Sequence, residues 1–502
     1  MRITNRMMTN NMMNNINKNK LNLNKLDEQY STGKKIQRPS EDPIVAVRAL
    51  KLRTNLSELN QYYEKNIPDA KSWMDVTESA LTNVNDILTQ VNTYCVQGTT
   101  DTLTAADRTS IVQNLEELKK QIYQEGNSNY AGRYVFTGYK TDTSLIFNEP
   151  STNLEYTITE EFTGEDIEEL SIVNGQLPID AYDPATSTAA DFNNAPNLLS
   201  YHRIRLSYED LGTIEGGGVL NYSVGGVAQS PITINTVSIT STSPLPYEPI
   251  AGTINYIPET GELILYDDPS VPADNVYEKL RLSDSISVSY KKNDFKTGDL
   301  RPEHYFDCNV LNTTTLDTAS YTKADQQIQY EINFNQKLTI NTQGSDAITH
   351  GIGRDIDEIL KTVQDVTATE QKIEEVNKLL EDTNITDTQR EALEKFSEQL
   401  NTELVLKNKI MHDAFENGIA GSSKHQNLLN VAVADLGSRY VRLELTESRL
   451  SSQQVDFEEL MSNNEDVDLV ETVIKYNSAE TIYNASLSAA SKVVQNTLLD
   501  FL

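Results

Sequence analysis

The stretch Tyr30–Val47, YSTGKKIQRPSEDPIVAV, sets Gly33, Pro39 and Pro43 between two long helical patterns. Gly33 can take the left-handed backbone that ends a helix. Pro39 and Pro43 push Arg38 and Asp42 out of helical backbone space. Asp42 or Ser40 can then cap a new helix, with Pro43 tolerated in its first turn because its missing N–H is not needed there. The stretch therefore predicts a corner, and the patterns on either side say what it joins.

Beyond the corner, Ile67, Ala70, Met74, Thr77, Leu81, Val84, Leu88, Val91 and Cys95 follow alternating steps of three and four. That is a heptad seam. Ala49, Leu52, Leu56, Leu59 and Tyr63 extend it backwards with one four-residue slip, a stutter, near Tyr63. Pro68 follows the slip, so a kink or short break is expected there. A helix from Pro43 to Cys95 would be about 80 Å long. Before the corner, Met12, Ile16, Leu23, Leu26 and Tyr30 keep heptad spacing, but Asn19 falls on the seam and Asn crowds the flanks. This leading helix needs a partner to fold.

A further helix is expected from Thr104 to Gly126, with Ile111, Leu115, Leu118 and Ile122 on one face, before the short-strand pattern NYAGRYVFTG at 129–138. From about Lys140 the composition turns to Thr, Gly, Pro and Asn with alternating apolar positions, as in LEYTIT, GELILY and ISVSY. Helical patterns return at Asp355, with a capping box at Thr386 and Gln389. Leu436, Tyr440, Leu443, Leu450 and Phe457 keep near the seam template, and Leu469, Val473, Tyr476, Glu480, Tyr483, Leu487, Ala490, Val494, Thr497 and Phe501 follow it unbroken.

Heptad sequence at both ends implies that the ends pair. The expected fold is α+β: an elongated antiparallel helical coiled-coil rod of paired N- and C-terminal segments, with a β-rich domain inserted between them. Its parts would be an assembly helix over 1–42, disordered in the monomer, and a coiled-coil core over 43–139. A β-rich outward insertion of one or two subdomains would span 140–325, followed by a core hairpin over 326–345. Core helices would fill 346–465, with an extended helical link at 370–427, and a C-terminal assembly helix would occupy 466–502.

The totals agree with a subunit rich in surface. Hydrophobic residues make up 38% of the 502, and the net charge is −32. Nucleic acid and anionic membranes are poor partners for such a chain. The first 60 residues carry eleven Lys and Arg against five Asp and Glu. Cys95 and Cys308 stand far apart and outside metal spacing, so neither a disulfide framework nor zinc is suggested. No run has the length of a membrane span, and the N-terminus lacks the apolar core of a secretory signal. Either the protein stays in the cytoplasm or it leaves by a route that reads no cleavable signal.

Catalytic constellations are scarce. The five histidines include no HExxH and no pair at ligand spacing. GIGRD at Gly351 and GIAGSSK at Gly418 read as ordinary loop glycines, and the carboxylates as solvated helix faces. Trp73 and the late tyrosines read as seam packing. The apolar tips, Met7 to Met13 and Leu498, Leu499, Phe501 and Leu502, read as an assembly surface. No catalytic, cofactor or metal residue is expected.

At these residues the chain resembles the bacterial flagellin superfamily. The likeness covers about Met1–Tyr139 and Asp355–Leu502. It rests on MRIT, YSTGKKIQRPSEDPIVAV, NYAGRYVFTGYK, VADLGSRYVRLE and SLSAASKVVQNTLLDFL. RPSEDP at 38–43 looks like the superfamily's hook–filament junction branch; filament flagellins usually carry an Ala-x-Asp-Asp-Ala-Gly type sequence there. Carried over by motif, Ser31, Gly33, Arg38, Pro39, Asp42, Pro43, Asn129, Gly132, Tyr134, Phe136, Gly138, Gly437 and Arg439 would serve assembly. The resemblance implies a structural, non-enzymatic, extracellular subunit that self-associates in a ring or tube. It would leave the cell by type III export with a cytoplasmic chaperone. Another hook-associated protein would meet its hook side and flagellin its filament side, without membrane insertion. Filament flagellin is the alternative, and another secreted type III structural protein or adhesin a weaker one. The link at 370–427 is longer than the family's, and the resemblance does not extend to the middle of the chain.

Overall fold

The computed structural model of the chain describes residues 5–100, 103–178, 181–382 and 385–499, the side chains of 5, 105 and 493–499 excepted. Its helices are α1 (Asn5–Thr32), α2 (Pro43–Gln61), α3 (Ile67–Gly98), α4 (Ala105–Glu125), α5 (Val276–Leu280), α6 (His350–Leu380), α7 (Asp387–Glu465) and α8 (Leu469–Leu499). Hairpin β1 (Asn129–Tyr130) and β2 (Arg133–Tyr134) precedes the strands of one large sheet: β3 (Leu154–Phe162), β4 (Ile167–Asn174), β5 (Asn197–Arg205), β6 (Val219–Val224), β7 (Val227–Ala228), β8 (Ile232–Thr236), β9 (Thr253–Ile257), β10 (Glu262–Leu265), β11 (Ser285–Lys292), β12 (Asp307–Asn312) and β13 (Thr318–Tyr321). A last hairpin joins β14 (Gln329–Asn333) to β15 (Gln336–Thr339). N- and C-terminal helices thus flank a β-rich region. The chain divides into two compact units, one of Met1–Lys71, Tyr330–Leu338 and Tyr440–Leu502, the other of Ser72–Gln329 and Thr339–Arg439.

In the first unit α1 lies along α8. Ile16 and Leu26 are buried on α1, with Asn19 and Leu23 half-buried between them and Met12 half-buried before them. On α8 the expected seam holds at Val473, which is half-buried, and fails at Leu469, Glu480 and Leu487. Thr472 and Ala479 are buried, whereas Leu469 and Leu487 are exposed by 53% and 42%, and Glu480 faces out. Tyr476, Tyr483 and Ala490 keep their expected places, half-buried. The reason is steric and polar. Small side chains at 472, 479 and 486 admit the partner helix closely, and Asn19 Nδ2 donates to Ser486 Oγ at 3.0 Å. A polar seam pair of this kind fixes register.

The slip near Tyr63 takes the form of a π-helical turn, Tyr62–Asn66. Pro68 offers no N–H to the carbonyl four residues earlier. Immediately before it, the Ile67 N–H reaches back five residues to the Tyr62 carbonyl, so the helix widens there instead of breaking.

In the second unit the α3 seam is closed: Met74, Thr77, Leu81, Val84, Leu88, Val91 and Cys95 are all at most 4% exposed. Asn92 Nδ2 on α3 donates to Ser422 Oγ on α7 at 2.8 Å. Beside them α4 packs on α6, tied by Lys119 to Asp357 at 2.7 Å. The glycines read as loop residues are helical. Gly351 and Gly353 begin α6, while Gly418 and Gly421 lie within α7. A methyl at Gly421 would overlap the Asp355 carboxylate, one at Gly353 the Tyr123 hydroxyl, and one at Gly418 Ile359. They are close-packing positions.

The sheet runs β13-β12-β3-β11-β6-β8-β9-β10-β5-β4, with β7 on β6. Only β8 and β9 pair in parallel among these neighbours. β11 alternates half-buried and buried residues along its whole length, the period of a strand with one face on a core. That core includes Tyr156, Ile158, Tyr256, Val288 and Tyr290. The α6–α7 turn is capped by Thr386, whose hydroxyl accepts from the Gln389 N–H at 3.3 Å. The facing residues Val376, Leu393, Phe396 and Leu400 form a separate core with Phe192, from the segment between β4 and β5.

Candidate assembly surface

The corner that opens the chain is paired with a second corner near its end. Gly33 ends α1 with φ +71°, and the Asp42 carboxylate accepts from the N–H groups of Ile44 and Val45 at 3.0 and 3.1 Å, with Pro43 in the first turn of α2. Between α7 and α8 the backbone turns as well. The two turns join: Lys35 N–H donates to Glu465 O at 2.7 Å and Val467 N–H to Gly33 O at 2.9 Å, an antiparallel bridge.

Charge reinforces this latch. The Glu465 side chain is only 5% exposed. Arg53 grips its two oxygens, one through Nε at 2.7 Å, and Lys34 Nζ stands 3.5 Å away. The Arg53 hydrogen bond is the largest cause holding the Glu465 carboxyl below its usual range. Lys34 does the same to Asp466 at 2.5 Å. The sequence alone does not single out Lys34, Arg53, Glu465 and Asp466. Opposite charges flanking two helix ends could have suggested them, but their pairing depends on contacts more than 400 residues apart.

The motif residues fall into two groups. In the first unit, Ser31 donates to Glu28 O at 3.2 Å, and Arg38 and Pro39 are exposed beside Gly33, Asp42 and Pro43. In the second, Asn129 pairs with Tyr134 across the β1–β2 hairpin, whose turn uses Gly132 at φ +79°. Phe136 is 1% exposed, and Gly138 at φ +59° sits against Gln326. Gly437 opens on free space. Arg439 binds the carbonyls of Asn341 and Thr339 at 2.7 and 3.3 Å and Thr342 Oγ1 at 3.2 Å. Leu498 and Leu499 close α8, but their side chains, with Phe501 and Leu502, lie outside the described residues.

The first unit also concentrates exposed apolar surface. More than half of the exposed large apolar side chains among the described residues belong to it, though it holds under a third of the chain. Met7, Met8 and Met13 on α1 and Val470, Ile474 and Ile482 on α8 are 50–71% exposed. The first unit thus carries more than its share of exposed apolar side chains.

Charge in the second unit is used for internal bonding. Arg203 donates to Glu168 at 2.9 Å, to Glu358 at 2.8 Å and to Glu262; Arg205 reaches Asp355 at 2.5 Å, and His425 Nε2 lies 3.2 Å from that same carboxylate. Burial pushes Asp355 and Glu358 up, but the His425 hydrogen bond and the Arg205 charge outweigh it at Asp355, as the Arg203 and Arg205 charges do at Glu358, and both carboxyls lie below their usual range. These carboxylates are therefore not the solvated helix faces expected. The network lines a cleft of about 670 Å³, and its charges are spent on one another. Trp73, 1% exposed, packs edge-on against Tyr130 at 6.2 Å under the Arg133 guanidinium. Among the described residues no cluster could hold a metal ion, and no helix is long and apolar enough to cross a membrane.

Residues 3–141 match the bacterial flagellin N-terminal helical region and residues 423–502 the bacterial flagellin C-terminal helical region. Over 143 residues the chain is 33% identical to flagellar hook-associated protein 3 of Salmonella typhimurium, covering 28% of this chain and 45% of the relative. The Escherichia coli protein of the same name is 29% identical over 150 residues, 30% of this chain and 47% of the relative. A flagellin of Clostridium tyrobutyricum is 32% identical over 101 residues, 20% of this chain and 26% of the relative. The chain thus spans under half the length of the curated relatives it matches. Among solved structures, FlgL of Xanthomonas campestris is similar with a TM-score of 0.30 and 12% identity, covering 83% of this chain and 99% of that one. Hook associated protein-3 of Legionella pneumophila gives 0.29 and 12%, covering 82% and 97%.

Proposed function

From a chain that is flagellin-like at both ends and similar over part of its length to hook-associated protein 3, we infer a non-catalytic structural subunit of the bacterial flagellum, placed where hook meets filament. The observation that carries the reading is the latch. It holds the two terminal helices, α1 and α8, together on a unit that exposes many apolar side chains. That is what a subunit needs if its ends are to pack among neighbours while its middle stays folded. RPSEDP at 38–43, which forms the latch's first turn, favours the junction over the filament.

In this reading the subunit is exported through the flagellar channel with a cytoplasmic chaperone, self-associates in a ring or tube, and offers different neighbours at its two sides. The sheet of the second unit supplies no chemistry. The test is deletion. Cells lacking this chain should still build hooks and export flagellin, yet shed it as monomer. Loss of the major filament protein itself, with no other filament-capable subunit in the medium, would make the chain the flagellin instead.

A further inference from the structure

Two surfaces outside the latch expose apolar side chains, and their chemistries match. On α2, Ile44, Val47 and Leu50 are 72%, 54% and 62% exposed, on the face opposite buried Ala46 and Ala49. Arg48 and Lys51 stand in the same stripe, exposed and in no ion pair among the described residues. In the second unit, a groove of about 630 Å³ runs beside α7. Its floor includes Leu428 and Val431, 43% and 70% exposed. Asp325, Asp346 and Asp435 line it. Asp435 is held by Arg439 at 2.8 Å, whereas Asp325 and Asp346 are in no ion pair among the described residues and accept from neutral side chains.

We propose that this groove receives the α2 stripe of a second copy of the chain. The proposal rests on the assembly reading above and names its contact. Charge selects the occupant. The chain carries −32 overall, yet its first 60 residues hold eleven Lys and Arg against five Asp and Glu. A copy approaching an acidic groove is therefore attracted through this segment and repelled by the rest of itself. Shape of assembly follows from the same pairing. Stripe and groove are different patches, so the contact is head-to-tail, and such contacts close into rings or run on as helices.

Cysteine cross-linking tests it in the full-length chain. Both native cysteines are buried, so Val47→Cys and Val431→Cys would be the reactive pair. Under copper-phenanthroline oxidation, at concentrations where the chain self-associates, the double variant should give a ladder of disulfide-linked oligomers. Each single variant should stay unlinked. Arg48→Glu with Lys51→Glu should weaken self-association at least tenfold, and Asp325→Lys with Asp346→Lys in the same chain should restore it. These side chains are exposed, so folding is not at stake. Oligomers that form without linking, and that ignore the charge reversals, would overturn this docking while leaving self-assembly standing. A chain that remains monomeric and unlinked at every concentration would overturn both.

Discussion

Replacing Glu465 by Ala should loosen the latch selectively. The change removes two hydrogen bonds from Arg53 and the ion contact with Lys34. Hydrogen bonds to charged groups contribute about 1.5–3 kcal/mol each when buried. Here the donors can turn to water, since the Arg53 and Lys34 side chains are 59% and 41% exposed. The partners are not left stranded, so the net cost belongs at the low end, about 2 kcal/mol. The bridging amides of Lys35 and Val467 report this directly, because each is protected only while the two turns stay joined. A loss of about 2 kcal/mol in local opening free energy speeds their hydrogen exchange roughly 30-fold. The Leu88 amide, in the closed α3 seam of the other unit, should not change. Unaltered exchange at Lys35 and Val467 would refute the claim that Glu465 holds the corners together.

Arg203→Ala should cost the second unit about 3–5 kcal/mol, because Glu262, 3% exposed, is left without its cation; thermal unfolding would register it. Gly421→Ala should cost about 1–3 kcal/mol by forcing a methyl against Asp355, measured as a lower denaturant midpoint at constant slope. Burial holds His350 at about 3, far below the ordinary 6.5, among the rings of Tyr208, Tyr305 and Phe306. Its folded-state value is depressed, so its contribution is fully present above pH 6.5 and is lost as pH falls towards 3. Relative to His350→Phe, the wild type should lose up to about 1.4 kcal/mol per pH unit between pH 6 and 4; parallel stability curves for the two proteins would contradict this.

The corner and the α3 seam were legible because each is local. Gly33, Asp42 and Pro43 act through their own backbone, and a seam nine positions long repeats its signal until it cannot be missed. The α8 seam was harder. Apolar Leu469 and Leu487 mark one register, but Thr472, Ala479 and Ser486 win because closeness and the Asn19–Ser486 bond outweigh residue hydrophobicity. Gly351 and Gly421 looked like loop punctuation because a sequence does not display the helix packed across from them. The same holds for Glu262 and Glu358: a carboxylate looks solvated until the fold brings Arg203 to it. Arg53 and Glu465 were invisible for that reason too, since the N- and C-terminal turns meet only in three dimensions.

In the proposed role this chain sits at one junction and does not form the filament. Labelling the protein on intact flagella, with an antibody or a tag in the exposed turn at Gly216–Gly218 between β5 and β6, addresses it directly. The account predicts a single site of label on each flagellum, at the boundary of hook and filament. Label spread along the filament would contradict it.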